Sequence, residues 1–111
     1  MRQLLAFDVA ADGSFSNKRV LHDFGASRGI DGMALSPGGV IYATAGSGDG
    51  AGIYLFNQAG ALLKIIRLPG DPTNCTFGRG KNAGILYVTA QAPDAQGSEK
   101  RPYALYQIEI R

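Results

Sequence analysis

The chain has 111 residues, a mass of 11.7 kDa and a formal net charge of +2, which leaves room for one core and excludes an enzyme built from separate cofactor and substrate lobes. Hydrophobic residues make up 45 % and charged residues 18 % with no long run of one sign, so the composition is that of a folded globular chain and not of a disordered one. Basic residues form no stripe with interleaved aromatics, and no stretch reaches the roughly 20 apolar residues that cross a bilayer, so neither nucleic acid nor membrane is an expected partner.

At the N-terminus, Met1 to Leu5 meets Asp8 too soon to form the apolar core of a signal peptide, and the reading is a soluble, cytoplasmic protein. Short apolar runs rich in β-branched and aromatic residues then follow one another: Leu4 to Val9, Arg19 to Phe24, Gly32 to Leu35, Val40 to Ala45, Ile53 to Asn57, Leu62 to Leu68, Cys75 to Phe77, Ile85 to Ala90 and Tyr103 to Ile110. Each is bounded by turn residues, as strands are. The punctuation includes Ala11-Asp12-Gly13-Ser14, Ser36-Pro37-Gly38-Gly39, Gln58-Ala59-Gly60, Pro69-Gly70-Asp71-Pro72 and Arg79-Gly80-Lys81-Asn82. Nine strands and no helix are predicted, Leu62 to Ile66 being too short between Gly60 and Pro69 for a normal helix. The polar stretch from Gln91 to Arg101 reads as a mobile loop.

Runs such as Ile41, Tyr42, Ala43 and Ala45, or Ile85, Leu86, Tyr87 and Val88, are apolar on both parities. Strands of that kind are covered on both faces, which favours stacked sheets. A repeat sharpens this. Val40-Ile41-Tyr42-Ala43-Thr44-Ala45 returns as Ile85-Leu86-Tyr87-Val88-Thr89-Ala90 at an offset of 45, Gly32 to Ser36 matches Asn74 to Gly78 at 42, and Leu5 to Asp8 matches Tyr54 to Asn57 at 49. Four short strands in about 40 to 50 residues is the mark of a propeller blade, so the fold expected is all-β, about two and a quarter four-stranded antiparallel blades. Residues 1–25 end one blade, 26–69 form a full one, and 70–111 form most of a third. A nine-strand sandwich fits the length and leaves the repeat unexplained.

Several candidate residues belong to that scaffold. Gly46-Ser47-Gly48-Asp49-Gly50-Ala51 matches a dinucleotide-binding pattern, yet Ile53 to Phe56 continues as a strand where that motif opens a helix, so it reads as a loop. Asp49 lacks the spaced acidic neighbours of a calcium loop. His22 reads as a surface or hydrogen-bonded residue, and Cys75 as a small buried thiol, unable alone to form an intramolecular disulfide.

Asp12 to Val20, Ile30-Asp31-Gly32-Met33-Ala34-Leu35, Gly52 to Phe56, Pro72-Thr73-Asn74-Cys75-Thr76-Phe77-Gly78 and Leu86 to Ala90 together resemble the senescence-marker-protein (regucalcin) and gluconolactonase family, in the order and spacing of its C-terminal half. The resemblance implies a six-bladed β-propeller that hydrolyses sugar lactones, or related esters, around one divalent cation, calcium or zinc, at the mouth of the central channel. It implies a catalytic and metal-binding role for Asp31, the one expected metal ligand present here, while Ile30 stands where the family often has proline. Thr73 and Asn74 occupy the equivalent loop of the next blade and are the candidate substrate-binding residues. The expectation is therefore a lactonase fragment inactive alone, needing missing blades or self-association to cover two apolar sheet faces. The rival expectation is a non-catalytic arc that pairs with copies or with a partner chain.

Overall fold

The computed structural model describes residues 2–92 and 102–110. Nine strands follow in chain order: β1 (Gln3–Val9), β2 (Phe15–Asp23), β3 (Ile30–Leu35), β4 (Ile41–Ala45), β5 (Gly52–Phe56), β6 (Leu62–Arg67), β7 (Asp71–Phe77), β8 (Ile85–Gln91) and β9 (Tyr103–Glu109). They form three antiparallel sheets, each running through the chain without a crossover: β1-β2, then β3-β4-β5-β6, then β7-β8-β9. Short 3-10 turns at Gly48–Gly50 and Gly80–Asn82 are the only helical elements among the described residues, and no helix is long and apolar enough to cross a membrane. Of the expected loop from Gln91 to Arg101, Gln91 closes β8 and residues 93–101 lie outside the described residues.

Two strands begin four residues earlier than the apolar runs suggested, and β3 begins two earlier, at Ile30. β2 starts at Phe15, because Phe15 and Ser16 pair with Val9 and Asp8 of β1 and Asn17 and Lys18 form a bulge before pairing resumes at Arg19, all with exposed side chains. β7 starts at Asp71, so Asp71-Pro72 is strand and not turn. The innermost strand is a sheet edge, where proline's missing N–H need not cost a ladder bond. The turns are closed by local chemistry. Asn57 accepts hydrogen bonds from the N–H groups of Ala59 and Ala61, and Gly60 sits at φ +94°. A Cβ there would also press into the backbone of Leu21, so the turn demands glycine on both counts.

The sheets stack face to face and bury two clusters. Leu4, Ala43 and Phe56, with Leu21, Phe24, Ile30, Ile41 and Tyr54 around them, lie between the first sheet and the second. Tyr42, Ile53, Cys75, Leu86 and Val88 lie between the second and the third. Tyr42 to Ala45 are accordingly all buried, as the double apolar parity of β4 required. The same reading does not hold for β8: Leu86, Val88 and Ala90 point inward, but Tyr87 is half-buried and Thr89 exposed. With Asn74, Thr76 and Gln107 also on the third sheet's outer face, that face is mixed in polarity and not apolar throughout.

The first sheet has two strands where the second has four. Beside it Met33 and Leu35 of β3 remain 54 % and 62 % exposed, over a cleft of about 440 Å³ that also touches Leu4, Leu21 and Gln58.

Candidate functional site

β3 and β7 carry the same irregularity. In the second sheet Ile30 pairs with Ala45 and Met33 with Ala43, so Asp31 and Gly32 together oppose Thr44. In the third, Pro72 pairs with Ala90, Asn74 with Thr89 and Cys75 with Val88, so Thr73 and Asn74 share Thr89. These are β-bulges, which bend the strand and re-aim the side chains at the extra position. The threonine opposite closes each one. Thr44 Oγ1 accepts from the Gly32 N–H and donates to the Gly32 carbonyl, both at 2.8 Å. Thr89 Oγ1 lies 2.9 Å from Thr73 Oγ1 and donates to the Asn74 carbonyl at 3.4 Å.

All three sequence candidates therefore sit on bulged inner strands, and not in loops ahead of them. The repeat hid this because an apolar-run criterion starts each strand only after its bulge. Thr44 and Thr89 recur at the offset of 45, so their pairing was written in the sequence; their hydroxyl chemistry was not.

The structure brings the two bulges together. Gly32 packs against Asn74 so closely that a Cβ on Gly32 would overlap both the amide and the Cα of Asn74. Arg28, a residue the sequence pattern did not single out, spans the junction. Its guanidinium donates to the Gly46 carbonyl at 2.8 Å, to the Pro72 carbonyl at 2.8 Å and to the Asp31 carboxylate at 3.1 Å. One side chain thus ties the end of β4, the start of β7 and the candidate acid of β3. Gly46 takes φ +74° to turn its carbonyl there, and a Cβ at that position would overlap Gly50. A cleft of about 420 Å³ opens beside Asp31, lined by Arg2, Gln3, Arg28, Gly29 and Ile30.

Thr73 and Asn74 differ in what they can offer. The Thr73 hydroxyl is engaged by Thr89, both at its carbonyl and its hydroxyl. Asn74 Oδ1 accepts from the Cys75 N–H at 2.9 Å, which leaves the exposed amide nitrogen as the donor that could face a ligand. Among the described residues no three His, Cys, Asp or Glu side chains come together as a metal site requires, and the Asp31 carboxylate already faces a cation in Arg28. A hard divalent cation takes six or more oxygen ligands at about 2.0–2.6 Å. One carboxylate paired with a guanidinium does not fit it.

The other candidates are structural. His22 packs its ring on Phe24 and Phe56 with centroids 4.6 and 5.0 Å apart. The Gly48 N–H is held by Asp71 at 2.9 Å and the Asp49 carbonyl by Arg67, so that segment is a pinned 3-10 turn. Cys75 is buried, its thiol 3.5 Å from the Tyr42 carbonyl, and burial pushes its pKa from 9.0 up to about 11. Because the folded value lies above the unfolded one, the protonated thiol's contribution to stability is complete below pH 9 and is lost as pH rises through 11. Thermal melts should therefore fall more steeply between pH 9 and 11 for the native chain than for Cys75→Ala; parallel curves would clear the thiol of any part.

Residues 1–92 match the family model described as the SMP-30/gluconolactonase/LRE-like region. Among solved structures the chain is similar to a luciferin-regenerating enzyme, with a TM-score of 0.72 and 24 % identity over 96 % of this chain. That likeness gives the fold, part of a β-propeller. The chain spans 37 % of that enzyme's length. No curated protein sequence matches it.

Proposed function

The chain belongs to the SMP-30/gluconolactonase/LRE-like family, and from that premise we propose that it is an arc of a sugar-lactone-hydrolase propeller that carries Asp31 at the inner rim and has no activity alone. Hydrolysis adds water to the lactone carbonyl and breaks the ring C–O bond, and a carboxylate at the rim can accept the proton of the attacking water. Arg28 fixes where the Asp31 carboxylate points, and the Asn74 amide nitrogen, its Oδ1 being taken by the Cys75 N–H, donates to an oxygen of the bound sugar. The observation that carries the inactive half of the proposal is the donor set: one carboxylate, already paired, and no cluster of further ligands among the described residues. A divalent cation accords with the family, and its remaining ligands would have to come from blades beyond these.

The test is direct. The purified chain, with calcium, zinc or manganese added, is expected to hydrolyse five- and six-membered sugar lactones no faster than buffer, and calorimetric titration with each ion should show no stoichiometric binding. Metal-dependent turnover that disappears in Asp31→Ala would overturn the proposal. A second reading, a non-catalytic arc used for association, is favoured by one observation, that Asp31 is the partner of a structural arginine.

A further inference from the structure

The Arg28 side chain is fixed by groups other than Asp31. It leaves a turn closed by its own bonds: the Ser27 N–H and hydroxyl both donate to the Phe24 carbonyl, at 3.2 and 2.7 Å, and the Gly25 N–H donates to the Asp23 carboxylate at 2.7 Å. The Arg28 carbonyl then accepts the Gly46 N–H at 3.0 Å while the guanidinium donates to the Gly46 carbonyl at 2.8 Å, so main chain and side chain close on the same glycine. The two terminal nitrogens reach different sheets. Nη1 bonds Gly46, just past the end of β4, and Nη2 bonds Pro72 on β7 and has its other hydrogen for Asp31 Oδ2.

Two carbonyls therefore hold this cation whatever happens at the carboxylate, and moving it away would break both bonds at once. An arginine also keeps its proton, so the charge is permanent. The main chain beside Asp31 is fixed as well, because Thr44 Oγ1 bonds both the N–H and the carbonyl of the next residue, Gly32. A positive charge thus stands 3.1 Å from Oδ2, and a divalent cation drawn to the same carboxylate would sit within a few ångströms of a charge of its own sign. The second oxygen, Oδ1, accepts no hydrogen bond among the described residues. One oxygen held and one open is what a proton acceptor needs, since the first sets the direction and the second keeps its lone pairs.

We propose that Arg28 is the counter-ion of Asp31 in this chain and stands in for a divalent cation there, so that the carboxylate serves the inner rim as an oriented base and not as a metal ligand. The inference rests on the lactonase reading only for the proton-accepting role; the exclusion of a cation from Asp31 stands on the geometry around Arg28. It also separates two causes of weak metal binding. If ligands are merely too few, removing the charge at position 28 changes nothing, whereas a resident guanidinium holds the affinity down until it is removed.

The probe is manganese(II), added to the full 111-residue chain, and the readout is the paramagnetic broadening of the Gly32 amide against that of Gly50, which follows another exposed carboxylate, Asp49. In the native chain Gly32 is expected to broaden no earlier than Gly50. Arg28→Gln removes the charge and keeps a hydrogen-bond donor; in it Gly32 should reach half-broadening at about one-third of the native manganese concentration or less, with Gly50 unmoved. Arg28→Lys keeps the charge and should stay near the native value. Asp31→Asn tests the premise in a second way: the Arg28 side-chain N–H signals should persist, because the Gly46 and Pro72 carbonyls still hold them. Loss of those signals, Gly32 broadening ahead of Gly50 in the native chain, or glutamine and lysine variants that respond alike would each overturn the proposal. No lactone enters these measurements, so their failure leaves the lactonase reading standing.

Discussion

Phe56→Ala is expected to destabilise the chain by about 3–5 kcal/mol, the usual loss for truncating a fully buried phenylalanine. Phe56 has no exposed surface, and with Leu4 and Ala43 it makes the cluster that holds the first sheet to the second. The rings of His22 and Phe24 pack on it at 5.0 and 6.2 Å, so both anchor points of β2 lose their partner together. A two-stranded ribbon is marginal by itself in water, and small domains hold only about 5–15 kcal/mol in all. The effect should therefore be uneven. In hydrogen exchange, β1 and β2 should lose most of their protection while β4, β5 and β8 retain theirs. Uniform loss over all nine strands would mean that the sheets unfold as one unit.

Arg28→Leu is expected to cost about 2–3 kcal/mol, in line with hydrogen bonds from a charged donor to carbonyls left without one. It should lower Tm by roughly 10 °C in a domain of this size. Lysine should recover only part of this, because an ammonium group cannot span the Gly46 carbonyl, the Pro72 carbonyl and the Asp31 carboxylate as a planar guanidinium does. Asp31→Asn removes the ion pair and keeps both carbonyl contacts, so it should cost well under half as much. If Asp31→Asn proves as damaging as Arg28→Leu, the ion pair and not the inter-sheet bonding is what Arg28 supplies.

The architecture was legible because glycine-punctuated apolar runs and a 45-residue recurrence are local and periodic. Strand count and sheet order followed from them, and the family from the motifs that resemble it. The beginnings of β2 and β7 were not, because there the pairing is made by Ser16, Asp71 and Pro72, with Asn17 in a bulge, residues whose propensities speak for turns and which the sheet overrides. Asp31, Thr73 and Asn74 were picked out as candidates through their motifs. Arg28 was not, since its three partners lie 3, 18 and 44 residues away. No sequence pattern marks an arginine that binds one carbonyl just past the end of β4 and another on β7. Cys75 illustrates the opposite case: a lone small thiol in an apolar run, read as buried from sequence and found so.

The paired bulges separate what a blade must conserve from what it is free to vary. In β3 the extra residue is absorbed by the Thr44 hydroxyl, which bonds only the Gly32 backbone, whereas in β7 Thr89 also bonds the Thr73 side chain; strand pairing resumes in step at Met33 and at Asn74. Two blades of one chain already hold different chemistry there, an acid in one and a hydroxyl in the next. A ring assembled from such units could change its inner rim one position at a time, with the β3 bulge kept in register by its backbone contact to Thr44 whatever stands at position 31.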